Sequence, residues 1–153
     1  MLVKTHKTID GKKCDYEAQL QVIIDNQNCH NIVSKENGYD VCLLKAYLNE
    51  DNVFTLIDVW VDPSHQKMGL GSALMKAIDY VAYENGADKI EGYFTPGNNR
   101  AKPMYQHYGY DIVDNGDLKI VKDGGKDGEN FTKHISDIAE EEYDQILLDE
   151  IVM

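Results

Sequence analysis

The chain has 153 residues, enough for one domain with its own apolar core and no need of metal or disulfide staples. Its net charge is −12, and residues 123–153 alone hold ten Asp/Glu against two Lys; that field disfavours nucleic acid and anionic membranes and mildly attracts cationic acceptors, although surplus acid also serves plain solubility. Cys14, Cys29 and Cys42 lack metal-ligand or CxxC spacing, and no apolar run has the length of a signal peptide or membrane span, so reduced thiols, no zinc and a cytoplasmic location are expected.

In chain order, residues 2–8 and 16–25 are strand candidates. In the second, Ala18, Leu20, Val22 and Ile24 alternate with mostly polar neighbours, with a helix as the other reading. Residues 26–38 read as loop. Residues 39–48 and 53–61 are strands, the second rich in β-branched and aromatic residues, joined by the polar hairpin loop Asn49-Glu50-Asp51-Asn52. After Pro63, the apolar residues Leu70, Ala73, Leu74, Ala77, Ile78, Val81 and Ala82 recur at three- and four-residue spacing, which predicts a helix with one buried stripe, stopped at Asn85-Gly86. Residues 88–95 form another strand, Pro96-Gly97-Asn98-Asn99 a turn, and residues 99–108 a short helix that tolerates Pro103 only near its first turn. Residues 110–113 and 118–122 suit a hairpin around Asn115-Gly116. The domain is expected to span 1–122, with 123–153 as an appendage: a flexible link over 123–129, then an acidic amphipathic helix. That helix carries Ile135, Ile138, Ala139, Tyr143, Ile146, Leu147 and Ile151 on one stripe and would dock on its own domain, on a second copy as a homodimer contact, or on another protein.

The segment Val61-Asp-Pro-Ser-His-Gln-Lys-Met-Gly-Leu-Gly71 closes a strand, turns on a proline and opens a helix at two glycines. Amides of a first helical turn have no intrahelical partner, so with the helix dipole they favour an anion, and glycines let it come close; the expected guest is a pyrophosphate. Gly71 is followed by Ser72-Ala73 rather than Lys-Ser/Thr, which excludes a nucleotide-triphosphate loop, and the Rossmann fingerprint needs a third glycine.

Gln66-x-x-Gly69-x-Gly71 following Val61-x-Pro63 resembles the acetyl-coenzyme A signature of the GNAT family of N-acetyltransferases. Asn98-x-x-Ala101-x-x-Met104-Tyr105-x-x-Tyr108-Gly109-Tyr110 resembles the family's other signature, in the right order and at a suitable distance. The resemblance covers residues 53–113. It implies an α/β fold: a mixed, mostly antiparallel, splayed sheet of six to seven strands with flanking helices and the coenzyme in the cleft. It also implies direct acetyl transfer from acetyl-coenzyme A, without metal, to a primary amine. Carried across, the backbone of Val59, Trp60 and Val61 pairs with the pantetheine arm. The amides of Lys67, Met68, Gly69, Leu70, Gly71 and Ser72 hold the diphosphate, with the Lys67 ammonium as a point charge. Asn98 bonds the pantetheine or holds the turn, and Arg100, the only arginine, either meets phosphate or is solvated.

Amine acetylation needs a neutral amine, a polarised thioester carbonyl and a proton for the departing thiolate. Tyr105 matches the family's proton donor; its bland reading is a packed tyrosine. Asp58 and Glu91 are the candidate bases, but strand alternation, or a bulge, decides which face each occupies. Tyr93 stands where some relatives carry a glutamate, so a water path, or no dedicated base, stays open. His65 and His107 flank the motifs as surface or outer residues, and Trp60 is expected in the core, placed to report cofactor binding. None of the cysteines falls in a motif, so no covalent intermediate is implied. Relatives carry two helices between the first two strands, whereas residues 9–39 show no such amphipathic pair; the acceptor side is expected to be short and open, favouring a protein or peptide amine over an enclosed small cationic amine. The reading from another class is a catalytically degenerate coenzyme A-binding module with a regulatory or interaction role.

Overall fold

A computed structural model gives the structure of the protein and describes residues 1–66, 69–95, 97, 101–114 and 116–133; Lys67, Met68, Asn98, Arg100 and the expected C-terminal helix lie outside these residues. Strands β1 (Leu2–Ile9) and β2 (Lys12–Gln19) pair as an antiparallel hairpin. Its turn is Asp10-Gly11, both at positive φ (49° and 76°), as a two-residue type I′ loop requires. A seven-stranded sheet follows, in the order β3-β4-β5-β6-β7-β9-β8. Its strands are β3 (Gln21–Ile24), β4 (Cys29–Glu36), β5 (Tyr39–Leu48), β6 (Val53–Val61), β7 (Lys89–Phe94), β8 (Asp111–Asp114) and β9 (Leu118–Asp123). Neighbours are antiparallel except β6 and β7, which are parallel and joined by helix α1 (Leu70–Glu84). A short helix α2 (Ala101–His107) joins β7 to β8.

The expected loop over residues 26–38 is instead built around β4. Its Asn and Ser content reads as turn, but Ile32 is held in register between Val22 and Leu44, and His30 lies buried, edge-on to Phe54 with ring centroids 5.0 Å apart. Pairing on both sides overrides weak strand propensity. Residues 123–129, expected as a flexible link, form turns pinned to the domain. Gly124 N–H donates to the Asp88 carbonyl at 2.8 Å, Asn130 N–H to the Gly124 carbonyl at 2.9 Å, and Phe131 is fully buried in the core. At Gly124 an added Cβ would stand 2.6 Å from the Phe131 ring, so only glycine lets this strap lie flat.

Strand β6 positions the site through a bulge. Lys45 pairs with Asp58 but Ala46 pairs with Leu56, leaving Ile57 as the extra residue. Phe54 and Leu56 before the bulge, and Val59 and Val61 after it, therefore turn to the same core. Asp58 and Trp60 are sent to the opposite face, with Thr55 and, across on β7, Glu91 and Tyr93. Strands β6 and β7 pair only over Val53 to Thr55 and Lys89 to Glu91, so the sheet opens just where the bulge begins. Both helices lie on the core face: Ala73, Leu74, Ala77 and Ile78 of α1 join Leu44, Ala46 and Phe54 in one cluster, and Tyr105 of α2 packs on Phe94 at 6.1 Å. On the other face Ile57, Trp60 and Tyr93 stay exposed.

Candidate active site

The opening between β6 and β7 leads into a cavity of about 390 Å³, lined by Val59, Trp60, Val61, His65, Gln66, Gly69, Leu70, Gly71, Ala101, Met104 and Tyr105. One wall is the free edge of β6. Its backbone groups toward β7 have no strand to pair with beyond Thr55, so an extended ligand can complete the ladder there.

The second wall is the turn into α1. Asp62 accepts from Ser64 N–H at 3.1 Å and caps a 3-10 turn over Pro63–His65. Gly69 follows at φ 80°, ψ 8°, a left-handed conformation that an L side chain would strain by roughly 1–2 kcal/mol. The first helical hydrogen bond runs from Ala73 N–H to the Gly69 carbonyl at 3.0 Å, so the amides of Leu70, Gly71 and Ser72 precede the ladder and collect the positive end of the dipole. Gly71 has ordinary φ, and a Cβ built on it would meet no protein atom within 4 Å. Among the described residues nothing in the packing asks for glycine there, and the space in front of it is open. These donors and this clearance fit a diphosphate.

Tyr105 forms the third wall. It is 8% exposed, tilted on Phe94 and edge-on to Tyr110 with ring centroids 5.6 Å apart. Burial raises its phenol above the ordinary tyrosine range, which keeps it protonated at neutral pH and able to donate. Tyr108, one turn further on, donates its hydroxyl to Ser72 Oγ at 2.5 Å and ties α2 to the first turn of α1. His65 is bound on both nitrogens: Nε2 to Glu36 Oε2 at 2.7 Å, and Nδ1 to Ser64 Oγ at 2.8 Å, with Asp62 Oδ2 at 3.4 Å. Glu36 first, then Asp62, raise its pKa above the usual 6.5, which favours the protonated ring beside the helix turn. Burial pushes the Cys42 thiol up to about 11, and no cysteine lines the cavity, so a thiolate nucleophile has no place in it.

The family model described as the acetyltransferase (GNAT) family matches residues 4–110. The chain belongs to the GNAT acetyltransferase family. It is 25% identical over 100 residues, 62% of this chain and 67% of the relative, to an uncharacterized N-acetyltransferase, YhfO, of Bacillus subtilis. Solved GNAT structures share the fold: an acetyltransferase from Staphylococcus aureus (TM-score 0.58, 16% identity, 64% of this chain and 69% of that one). Another is an acetyltransferase from Elizabethkingia anophelis with acetyl-CoA bound (TM-score 0.57, 16% identity, 63% and 76%). This GNAT protein is thus an acyltransferase, of a fold that binds acetyl-coenzyme A.

Around this cavity the structure brings together Val59, Trp60, Val61, Gly69, Leu70, Gly71 and Tyr105, with Ser72 just behind them on α1. It does not bring in the candidate bases. Asp58 is exposed opposite Lys45, because the Ile57 bulge turns it away from the helices. Glu91 lies between Lys119 at 3.3 Å and Lys89 at 3.8 Å, and neither carboxylate lines the cavity. Trp60, expected in the core, is 40% exposed at the cavity rim. His65 was missed as a wall residue, since its partner Glu36 is 29 positions away and no local spacing signals the pair. Ala101 and Met104, which the sequence offered only as members of the second signature, also line the cavity from α2.

Proposed function

We propose that the protein acetylates a primary amine, carried on a protein or peptide or on a small cation, with acetyl-coenzyme A as donor and no covalent enzyme intermediate. The observation that carries the reading is the cavity itself: a free strand edge, a glycine helix turn with unpaired amides, and a buried tyrosine meet in one opening. The amides of Gly69, Leu70, Gly71 and Ser72, joined by Lys67 and Met68, hold the diphosphate; Val59 to Val61 pair with the pantetheine; Asn98 and Arg100 lie nearby in sequence to support it. The bound coenzyme supplies an acetyl thioester.

The amine lone pair forms the C–N bond to the acetyl carbon, the C–S bond breaks, and the Tyr105 hydroxyl gives its proton to the leaving sulfur. The amine must lose its own proton. Glu91 is held by two lysines and is a poor base, so Asp58, reached through water at the open face, is the better of the two carboxylates. That face lacks a helix among the described residues, and residues 9–39 form strands and turns with no helix pair, which supports an acceptor carried on a peptide or protein surface.

A thiol-release assay against peptides, polyamines and amino-sugars tests the reading. Tyr105→Phe should lower kcat about a hundredfold while leaving coenzyme affinity unchanged; an unchanged rate removes the donor role. A second reading, a coenzyme-binding module without turnover, draws on the absence of a carboxylate from the cavity lining. Saturable binding with no thiol release on any amine would select it.

A further inference from the structure

We infer that Lys122 and Asp79 are positioning residues for Tyr105, acting through the turn between α2 and β8; the inference rests on the proton-donor reading of Tyr105. Lys122, on β9, is 4% exposed, and Asp79, on α1, is fully buried. The Lys122 ammonium donates to Asp79 Oδ2 at 2.7 Å and to the Tyr108 carbonyl at 2.7 Å, and stands 5.5 Å from the centre of the Tyr110 ring. One cation thus ties a strand, a helix and the turn Tyr108-Gly109-Tyr110 together. Burial raises the Asp79 carboxyl to about 7 against the pull of Lys122.

That turn is the back support of Tyr105. Tyr110 N–H donates to the Tyr105 carbonyl at 3.0 Å, and the Tyr110 ring meets the Tyr105 ring edge-on. Gly109 has φ 88°, and the lysine stem fills the space beneath it: a Cβ there would stand 3.5 Å from Lys122 Cε. None of Lys122, Asp79 and Tyr110 lines the cavity, so their effect on chemistry passes through Tyr105. A buried ion pair is no better for stability than apolar residues of like volume. What it adds is direction, because an ammonium aims separate N–H bonds at a carboxylate and a carbonyl and fixes both. Among the described residues, Asp79 Oδ1 and the Tyr110 hydroxyl, like His30 Nδ1, have no hydrogen-bond partner.

The test is a cycle: Asp79→Leu with Lys122→Met, in the native chain and in Tyr105→Phe, reading kcat, the KM for acetyl-coenzyme A and the melting curve. In the native background kcat should fall about tenfold or more, since an ångström of misplacement is costly, with KM unchanged. In the Tyr105→Phe background the pair should bring no further loss. An unchanged kcat, or the same fold-loss in both backgrounds, overturns the inference. If the double variant does not fold, Lys122→Arg replaces it, keeping the charge with different donor geometry, and the same non-additivity is required. A Tyr105→Phe rate equal to the native rate would instead sink the donor reading itself, so the two failures are distinguishable.

Discussion

Gly71 and Gly69 do different work although they belong to one motif. Gly69 answers to the backbone, through its positive φ; Gly71 answers to open space. Gly71→Ala should therefore raise stability by up to about 1 kcal/mol, because glycine is a poor helix former, while weakening coenzyme binding. Thermal melts and a binding titration on one sample check both signs; reduced stability would mean the position has a packing role. His65 gives the pH signature. Its folded pKa is raised by Glu36 and then Asp62, so the folded state binds the proton more tightly than the unfolded chain. Its contribution is full below the unfolded value of about 6.5 and is lost as pH rises through the folded value. Urea melts across neutral pH should show stability falling with rising pH in the native chain and a flatter profile in His65→Gln.

At the level of elements, the long helix, strands β5 to β7 and the terminal hairpin were legible, because their periodicity and turn residues agree with their burial. Strand β4 was not, since its Asn and Ser residues carry turn chemistry and only its two partners make it a strand. The β1–β2 hairpin had a readable signal in Asp10-Gly11, hidden by the lysines that follow. The faces of Asp58 and Trp60 could not be read from alternation, because one extra residue at Ile57 inverts everything after it. Deleting Ile57 should therefore close the bulge and straighten β6, leaving Trp60 on the open face and Val59 and Val61 on the core face, because Leu56 and Asp58 then follow each other opposite Ala46 and Lys45. The fluorescence of Trp60 should then stay close to native in any folded fraction, while the loss of the bend at the strand edge weakens coenzyme binding; retained binding would show that the bulge does not shape the cavity.

For the whole molecule, the sheet is clasped at its closed end and open at the other. Residues 124–133 return to the base of α1 and β7, with Phe131 as the buried anchor. Phe131→Ala should cost about 3–5 kcal/mol in chemical denaturation. A loss below about 1 kcal/mol would mean the strap is peripheral. The opposite end carries the cavity, with helices on one side of the sheet and exposed Ile57, Trp60 and Tyr93 on the other, so donor and acceptor can approach the same gap from different sides.

The most direct test of this arrangement is calorimetric titration of coenzyme A into the native chain and into Gly71→Val. The geometry predicts saturable binding at one site per chain, abolished or sharply weakened by the valine with no loss of fold. No heat in the native chain, or equal affinity in both, would contradict the claim that the amides around Gly69 and Gly71 hold the diphosphate.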